Sequence, residues 1–156
     1  MERINIGARS ENEAERELSN FAAWGFTLDN IRLASREGFI IGLMLVEGGL
    51  HQELAFSSVG LEAKKLARHA LRQWIWWNGK RFPFRGPEHI ALIERGIRAC
   101  FEQNPRLMKI LLSTVGKELT HDLGRPEKSN TSLPAKEFCN ILTKIREENL
   151  KKGCSE

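Results

Sequence analysis

The residue best placed for acid–base chemistry is Glu37, a lone carboxylate that stands ahead of the apolar residues 39–46. Ser35 has the type and position of a helix N-cap, so we predict a helix over residues 35–46 with Glu37 in its first turn. The helix macrodipole favours an ionised carboxylate there. The pattern is also typical of an exposed structural charge, worth about 0.3–1 kcal/mol. Glu37 therefore has two interpretations, a catalytic group or an ordinary helix start.

A second candidate group is an amine on the next predicted helix, residues 59–77, whose apolar residues recur with helical spacing at positions 63, 66, 67, 70 and 74. At about 100° per residue, Lys64 lies at the edge of the inner face, Arg68 a little further round, and Lys65 points away. We therefore expect Lys64 to be a semi-buried amine. Once deprotonated, such an amine can trap an opened sugar aldehyde as an imine.

A third candidate is the polar loop over residues 119–131, which is rich in Gly, Pro, Ser, Asn and charged residues. Loops often carry functional groups on a rigid scaffold, and His121, Asp122 and Gly124 are the residues we expect to face a ligand. A solvated turn explains the same composition. A carboxylate, an amine and a polar loop together suit the cleavage of an N-glycosidic bond.

Other kinds of catalysis find no matching pattern. The four histidines are dispersed, and the three cysteines lack metal-ligand spacing, so we predict no metal site. Cys100 and Cys139 lie on apolar helix faces, where a thiol is inert. The odd number of cysteines favours reduced, intracellular thiols. The sequence contains no glycine-rich phosphate loop, and we predict no cofactor.

Composition predicts a single domain of ordinary globular type. The chain has 156 residues, 41% hydrophobic and 28% charged, and a formal net charge of +4. This basic bias permits an anionic ligand such as a nucleic acid or a pyrophosphate. We find no signal segment and no apolar run long enough to span a membrane, and we therefore expect a cytoplasmic protein.

Three of the four tryptophans, Trp74, Trp76 and Trp77, lie close together and precede a basic stretch over residues 78–86. Aromatic and basic residues interleaved in this way can stack bases and neutralise phosphates. Core packing followed by a turn is the alternative, and we expect Trp74 to be core. The residues of the nucleic-acid-contact hypothesis are Trp76, Trp77, Lys80, Arg81 and Arg85.

The remaining pattern predicts a mainly α (α+β) fold in a single compact multihelical domain. We expect a strand over residues 3–6 and a small N-terminal β-hairpin over 26–33, which would bring the Ser19-Asn20-Phe21 turn near Glu37. Further helices should begin at Pro87, at Asn104-Pro105 and near residues 132–134, with a frayed tail over 147–156.

Several blocks in order along the chain resemble the NADAR (YbiA-like) family. They are residues 18–21, 24–26, Glu37 with its apolar helix, 63–68, 98–107, 111–114 and 145–147. The chain departs from the family where it has Gly38 in place of the usual His and Met44-Leu45 in place of Lys-Phe. It also has Leu123-Gly124 where Trp-Gly usually follows the loop aspartate. It is thus identified as a divergent member, covering residues 1–156.

The resemblance implies a YbiA-like fold and removal of ADP-ribose from modified guanine in nucleic acid, often beside an ADP-ribosyltransferase toxin. We predict such a glycohydrolase, with Glu37, Lys64 or Lys65, and Asp122 in the chemistry. The predicted ligand-binding residues are Ser19, Asn20, Phe21, Arg36, Arg68, His121 and Gly124. One alternative is an N-glycosidase acting on a ribosylamine intermediate of riboflavin synthesis. The other is a non-catalytic helical module that binds nucleic acid.

Overall fold

Seven helices and three short strand pairs make up the chain in a computed structural model, which describes residues 2–154. In chain order they are β1 (Arg3–Asn5), α1 (Glu13–Glu17), β2 (Phe26–Leu28), β3 (Ile31–Leu33), α2 (Arg36–Leu43), α3 (Leu50–Phe56), α4 (Gly60–Lys65), β4 (Trp74–Trp77), β5 (Lys80–Pro83), α5 (Pro87–Gln103), α6 (Pro105–Leu112), β6 (Glu118–Thr120) and α7 (Ala135–Cys154). Contacts divide them into two compact units. One contains residues 20–103, and the other contains the chain up to Ser19 and from Asn104 onward.

Helix α2 is the centre of the unit formed by residues 20–103. Its residues from Gly38 to Leu43 are all buried. Ser35 caps it as predicted, since its hydroxyl accepts a hydrogen bond from the Gly38 N–H at 3.0 Å. A Cβ at position 38 would collide with the backbone carbonyls of Ala55 and Ser58, the latter at 2.7 Å. Helices α2 and α3 therefore meet without a side chain between them at this point.

The hairpin predicted over residues 26–33 is confirmed. Strands β2 and β3 pair antiparallel, with Leu28 opposite Ile31. The turn residues Asp29 and Asn30 have φ values of 49° and 66°. Positive φ at both central residues defines a type I′ turn, which matches the twist of the flanking strands.

The helix predicted over residues 59–77 is wrong. Helix α4 ends at Lys65, a 3₁₀ turn covers Leu66–His69, and β4 and β5 then form a second antiparallel hairpin. Its turn residues Asn78 and Gly79 have φ values of 52° and 82°. Asn-Gly is a preferred type I′ pair, and aromatic residues flanking it favour strands.

The β4–β5 hairpin also reverses two expectations for its tryptophans. Trp77 is buried, and its ring packs edge-on against Phe39 at 5.5 Å and Phe56 at 5.8 Å between centroids. Trp74, expected to be core, lies with Trp76 on the other face of the strand, and both are half-buried. Side chains alternate along a strand, so Trp77 cannot share that face. Trp77 is thus core and not a nucleic-acid contact.

The other unit contains α1, α6, α7 and the parallel pair β1–β6, in which Ile4 lies opposite Leu119. The predicted strand at residues 3–6 and the helices after Asn104 and Pro134 are confirmed. Helix α7 continues to Cys154, past residue 147 where fraying was expected, while residues 155 and 156 lie outside the described residues. Buried Arg146 donates to the carbonyls of Thr114 at 3.0 Å and Lys117 at 2.9 Å.

Between residues 2 and 154, no helix is both long and apolar enough to cross a membrane.

Candidate functional site

Glu37 lies in the first turn of α2, where two loops meet the start of the helix. Its N–H donates a hydrogen bond to the Asn20 carbonyl at 3.2 Å, which confirms that the predicted turn lies near this residue. On the other side, the Ser35 hydroxyl donates to the Ser58 carbonyl at 2.8 Å. These backbone contacts fix the position from which the Glu37 side chain leaves the helix.

The Glu37 carboxyl is half-buried and has no hydrogen bond or ion pair with any residue from 2 to 154. Burial raises its pKa to about 7, while the charges of Lys64 and Arg36 act in the opposite direction. Of the two interpretations of Glu37, that of an exposed, ionised first-turn charge is therefore wrong, because desolvation of the carboxylate outweighs the macrodipole. A carboxyl with a pKa near neutrality can both donate and accept a proton at physiological pH.

Lys64 is the lysine that lies on the side of Glu37. Its Nζ is 5.7 Å from the centroid of the Phe21 ring, and its charge lowers the pKa of Glu37. Lys65 instead pairs with Glu62 at 3.7 Å. Both lysines are exposed, so the semi-buried amine that we expected is wrong. The 3₁₀ turn follows α4 directly, and no further helical turns cover Lys64.

Asn20 and Phe21 form the turn beside Glu37. The Asn20 side-chain oxygen is buried, yet no residue from 2 to 154 donates a hydrogen bond to it. A buried acceptor without a donor costs about 1–3 kcal/mol. Since such groups are normally satisfied, this oxygen marks a place where a ligand hydroxyl or a water would be stabilising.

The two predicted phosphate-binding arginines differ in accessibility. Arg36 is completely buried, with its guanidinium 5.1 Å from the centroid of the Phe101 ring. This burial argues against the direct ligand contact that we predicted for Arg36, and leaves it an electrostatic influence on Glu37. Arg68 is exposed, and its Nε donates to His69 Nε2 at 3.2 Å. The His69 ring stacks on His51 at 3.8 Å, so Arg68 is held beside two imidazoles.

The remaining predicted residues belong to the other unit. His121 Nδ1 lies 2.7 Å from the Ile6 carbonyl, which requires a proton on that nitrogen. Asp122 is exposed, and its Oδ1 accepts the Gly124 N–H at 2.8 Å. Ser19 is buried, and its N–H donates to the Arg16 carbonyl at 3.2 Å. Asp122 thus stabilises its own turn, and catalytic or binding roles for these residues stay predictions.

One cluster was not predicted from the sequence. Asp29, at the tip of the β2–β3 hairpin, accepts hydrogen bonds from Trp77 Nε1 at 2.8 Å and from both terminal nitrogens of Arg95. These bonds lower the pKa of Asp29 to about 2. A cavity of about 250 Å³ adjoins the cluster, with Lys80 and Glu88 in its wall. Asp29 and Arg95 are 66 positions apart in the sequence, so no local sequence pattern could indicate that they pair.

The described residues contain no cluster of three or more His, Cys, Asp or Glu side chains that could hold a metal ion. Burial also raises the pKa of the Cys139 thiol to about 11, which makes it a poor nucleophile. In the unit formed by residues 20–103, Glu37 is a carboxyl whose pKa burial raises to about 7.

Residues 14–147 match the protein family described as Bacteriophage protein GP30.3. The chain belongs to this family. GP30.3 is a NADAR-type family, which confirms the resemblance predicted from the sequence. One relative is the uncharacterized 17.1 kDa protein in the Gp30-rIII intergenic region of Enterobacteria phage T4. It is 30% identical over 135 residues, which are 83% of this chain and 88% of that protein.

This chain is also similar to the NMR structure of the E. coli protein YbiA. The TM-score is 0.70 at 18% identity, covering 99% of this chain and 89% of that one. This likeness confirms the predicted YbiA-like α+β fold. NADAR-type families contain N-glycosidase-like hydrolases, and membership of GP30.3 therefore supports a hydrolase.

Proposed function

We propose that this GP30.3-family protein is an N-glycosidase that removes ADP-ribose from modified guanine bases in nucleic acid. The observation that carries the proposal is the Glu37 carboxyl, which is half-buried, makes no hydrogen bond within residues 2–154, and has a pKa raised to about 7. Structural carboxylates in proteins are usually paired or solvated. A carboxyl kept unpaired at the cost of burial is typical of acid–base catalysts.

In this proposal Glu37 is the general acid. Its protonated form donates to the base nitrogen as the bond from that nitrogen to C1 of the ribose breaks. Lys64 Nζ, once deprotonated, attacks C1 and forms a C–N bond as the base leaves. The C1–O4 bond then breaks, O4 takes up the proton that the attacking amine loses, and an imine of the opened ribose results. Water hydrolyses this imine, which releases the sugar and restores the lysine amine. The Lys64 position beside Phe21 and Glu37 supports this assignment over Lys65, which pairs with Glu62.

The functional partner of the protein would be an ADP-ribosyltransferase that attaches the ADP-ribose to guanine.

The phosphates and hydroxyls of the ligand also have candidate partners. Arg68 is exposed next to the 3₁₀ turn and can donate charge-assisted hydrogen bonds to a pyrophosphate. The Asn20 oxygen, buried without a donor, can accept from a ribose hydroxyl after a small side-chain rotation. Both residues lie in the same unit as Glu37.

The test is a parallel incubation with an ADP-ribosylated guanine oligonucleotide and with a ribosylamine glycoside of the riboflavin precursor type. We expect free ADP-ribose from the first substrate, and a decrease of at least about a hundredfold in Glu37→Gln, the scale of lost acid assistance. Glu62→Gln, which removes an exposed carboxylate from α4, should retain the wild-type rate. Equal turnover by wild type and Glu37→Gln would refute the role of Glu37, and release from the second substrate alone would favour the riboflavin-type reaction.

A further inference from the structure

Residues 63–87 form the most basic stretch of the protein. They contain no Asp or Glu, and their basic residues are Lys64, Lys65, Arg68, Arg72, Lys80, Arg81 and Arg85. The formal net charge of the whole chain is only +4, so the rest of the sequence is net acidic. A local excess of positive charge on an otherwise balanced protein favours a polyanionic partner.

The β4–β5 hairpin arranges part of this stretch as an aromatic and basic face. Trp74 and Trp76 lie on one side of β4, and Arg81 lies opposite Trp76 on β5. The Arg81 guanidinium stacks over the Trp74 ring at 4.0 Å from its centroid. We call Trp74, Trp76 and Arg81 the hairpin face. This contact places a cation directly against an aromatic ring, and aromatic rings with adjacent cations are the groups on which unpaired bases stack.

The tip of the hairpin carries a further cation, Lys80, which lies opposite Trp77 and so on the other side of the hairpin from this face. Lys80 is exposed and has no ion pair within residues 2–154. The Asn78-Gly79 turn is anchored by a hydrogen bond from the Gly79 N–H to the Glu47 carboxylate at 2.7 Å. The tip is therefore held in place, and Lys80 adds to the local positive charge without belonging to the hairpin face.

We propose that the hairpin face binds single-stranded nucleic acid, with bases stacked on Trp76 and on the Arg81–Trp74 pair and a phosphate contacted by Arg81. This rests on the proposed function in taking the strand to be the one that carries the modified guanine. A single strand fits better than a duplex, because only unpaired bases expose their faces for stacking. An acidic protein would match the charge but would not use the ring planes.

The experiment measures binding of labelled, unmodified single strands of about 12 nucleotides, in DNA and in RNA, by fluorescence anisotropy over a range of salt concentrations. The same sequence as a duplex is measured in parallel. We expect the single strand to bind more tightly than the duplex. Trp76→Leu should weaken single-strand binding about tenfold, whereas Trp76→Phe, which keeps a ring, should restore most of the affinity.

Arg81→Gln tests the charge on an exposed side chain whose loss does not threaten folding. It should make the negative slope of log K against log salt shallower by about 0.7, the value for one phosphate contact on a single strand. Arg106→Gln is the control, since Arg106 is exposed in the other unit and pairs with Glu13 at 3.7 Å. It should leave the slope unchanged.

Equal affinity for single strand and duplex, or unchanged binding in both Trp76→Leu and Arg81→Gln, would overturn the proposal. The probes carry no ADP-ribose, so this result is independent of catalysis. Turnover that depends on Glu37 without single-strand binding would refute the hairpin face alone. Binding without turnover of any modified substrate would refute the proposed function alone.

Discussion

At the scale of single residues, two opposing effects act on Glu37. The helix macrodipole stabilises a first-turn carboxylate by about 0.3–1 kcal/mol. Desolvation acts in the other direction, and a pKa of about 7 instead of 4.5 corresponds to a cost on the order of 3 kcal/mol for the ionised form. Partial exposure of the side chain reduces this figure, but burial still dominates. The pKa of Glu37 is therefore set by the surroundings of its side chain and not by its position in the helix.

We expect borohydride added during turnover to trap ADP-ribose on Lys64. A reducible imine forms only if an amine attacks the sugar, because a carboxylate-assisted hydrolysis leaves no such adduct. Mass spectrometry should find the reduced adduct on the peptide containing Lys64 and Lys65. Lys64→Ala should abolish the adduct, and Lys65→Ala, the matched control, should retain it.

An adduct on Lys65 would show that the side chain paired with Glu62 is the nucleophile after all. No adduct in an enzyme that is turning over would exclude the imine route.

Sequence reasoning identified the position of the candidate site better than its environment. Ser35 as N-cap and the proximity of Asn20 to Glu37 followed from local patterns, and hydrogen bonds at 3.0 and 3.2 Å confirm them. The burial of Arg36 and the exposure of Lys64 did not follow, because burial depends on which distant elements cover a side chain.

At the scale of elements, helices with clear boundary residues were predicted well. Pro87 opens α5 and Pro105 opens α6, as the preference for proline in the first helical turn indicates. The β4–β5 hairpin was missed because Ala63, Leu66, Ala67, Ala70 and Trp74 fit a helical period. The Asn78-Gly79 pair was the signal that should have decided the choice.

The absence of a side chain at position 38 is required by the packing of α2 on α3. We expect Gly38→Ala to lower the free energy of unfolding by about 1–3 kcal/mol, because its Cβ would meet the carbonyls of Ala55 and Ser58 and the helices must separate. Urea unfolding measures this change. Gly7→Ala is the control, since a Cβ there meets no atom within 4 Å.

Equal stability of the Gly38→Ala and Gly7→Ala variants would contradict the packing argument. The same contact is relevant to the His that the NADAR resemblance places after the glutamate, where this chain has Gly38. An imidazole at position 38 has no space between α2 and the end of α3.

At the scale of the whole molecule, the order of family blocks along the chain was sufficient to predict the fold. The YbiA-like architecture has a TM-score of 0.70 to the E. coli structure at only 18% identity, so few individual residues are shared. The parallel pairing of β1 with β6 was not predicted, because Ile4 and Leu119 are distant in sequence and both strands have three residues.

The pH dependence of global stability provides a test of the Glu37 environment that does not depend on any substrate. The pKa of Glu37 is about 7 in the folded protein and about 4.5 in the unfolded chain. The folded state thus binds more protons at Glu37 between these values, and the contribution of Glu37 to the free energy of unfolding must fall as pH rises from 4.5 to 7. Glu37→Gln removes the titrating group, so the free energy of unfolding of this variant should not contain the pH-dependent loss that Glu37 causes.

We therefore expect Glu37→Gln to be close to wild type in stability at pH 4.5 and more stable at pH 8, by up to about 3 kcal/mol. Urea unfolding at a series of pH values measures the difference. Glu62→Gln, a change of an exposed carboxylate on α4, should give a curve parallel to that of wild type. A Glu37→Gln curve that also runs parallel to wild type would mean that Glu37 is solvated like an ordinary first-turn charge. The protein should thus be more stable without the Glu37 carboxyl, which is the group that carries the proposed chemistry. Such a difference is expected where function and stability conflict.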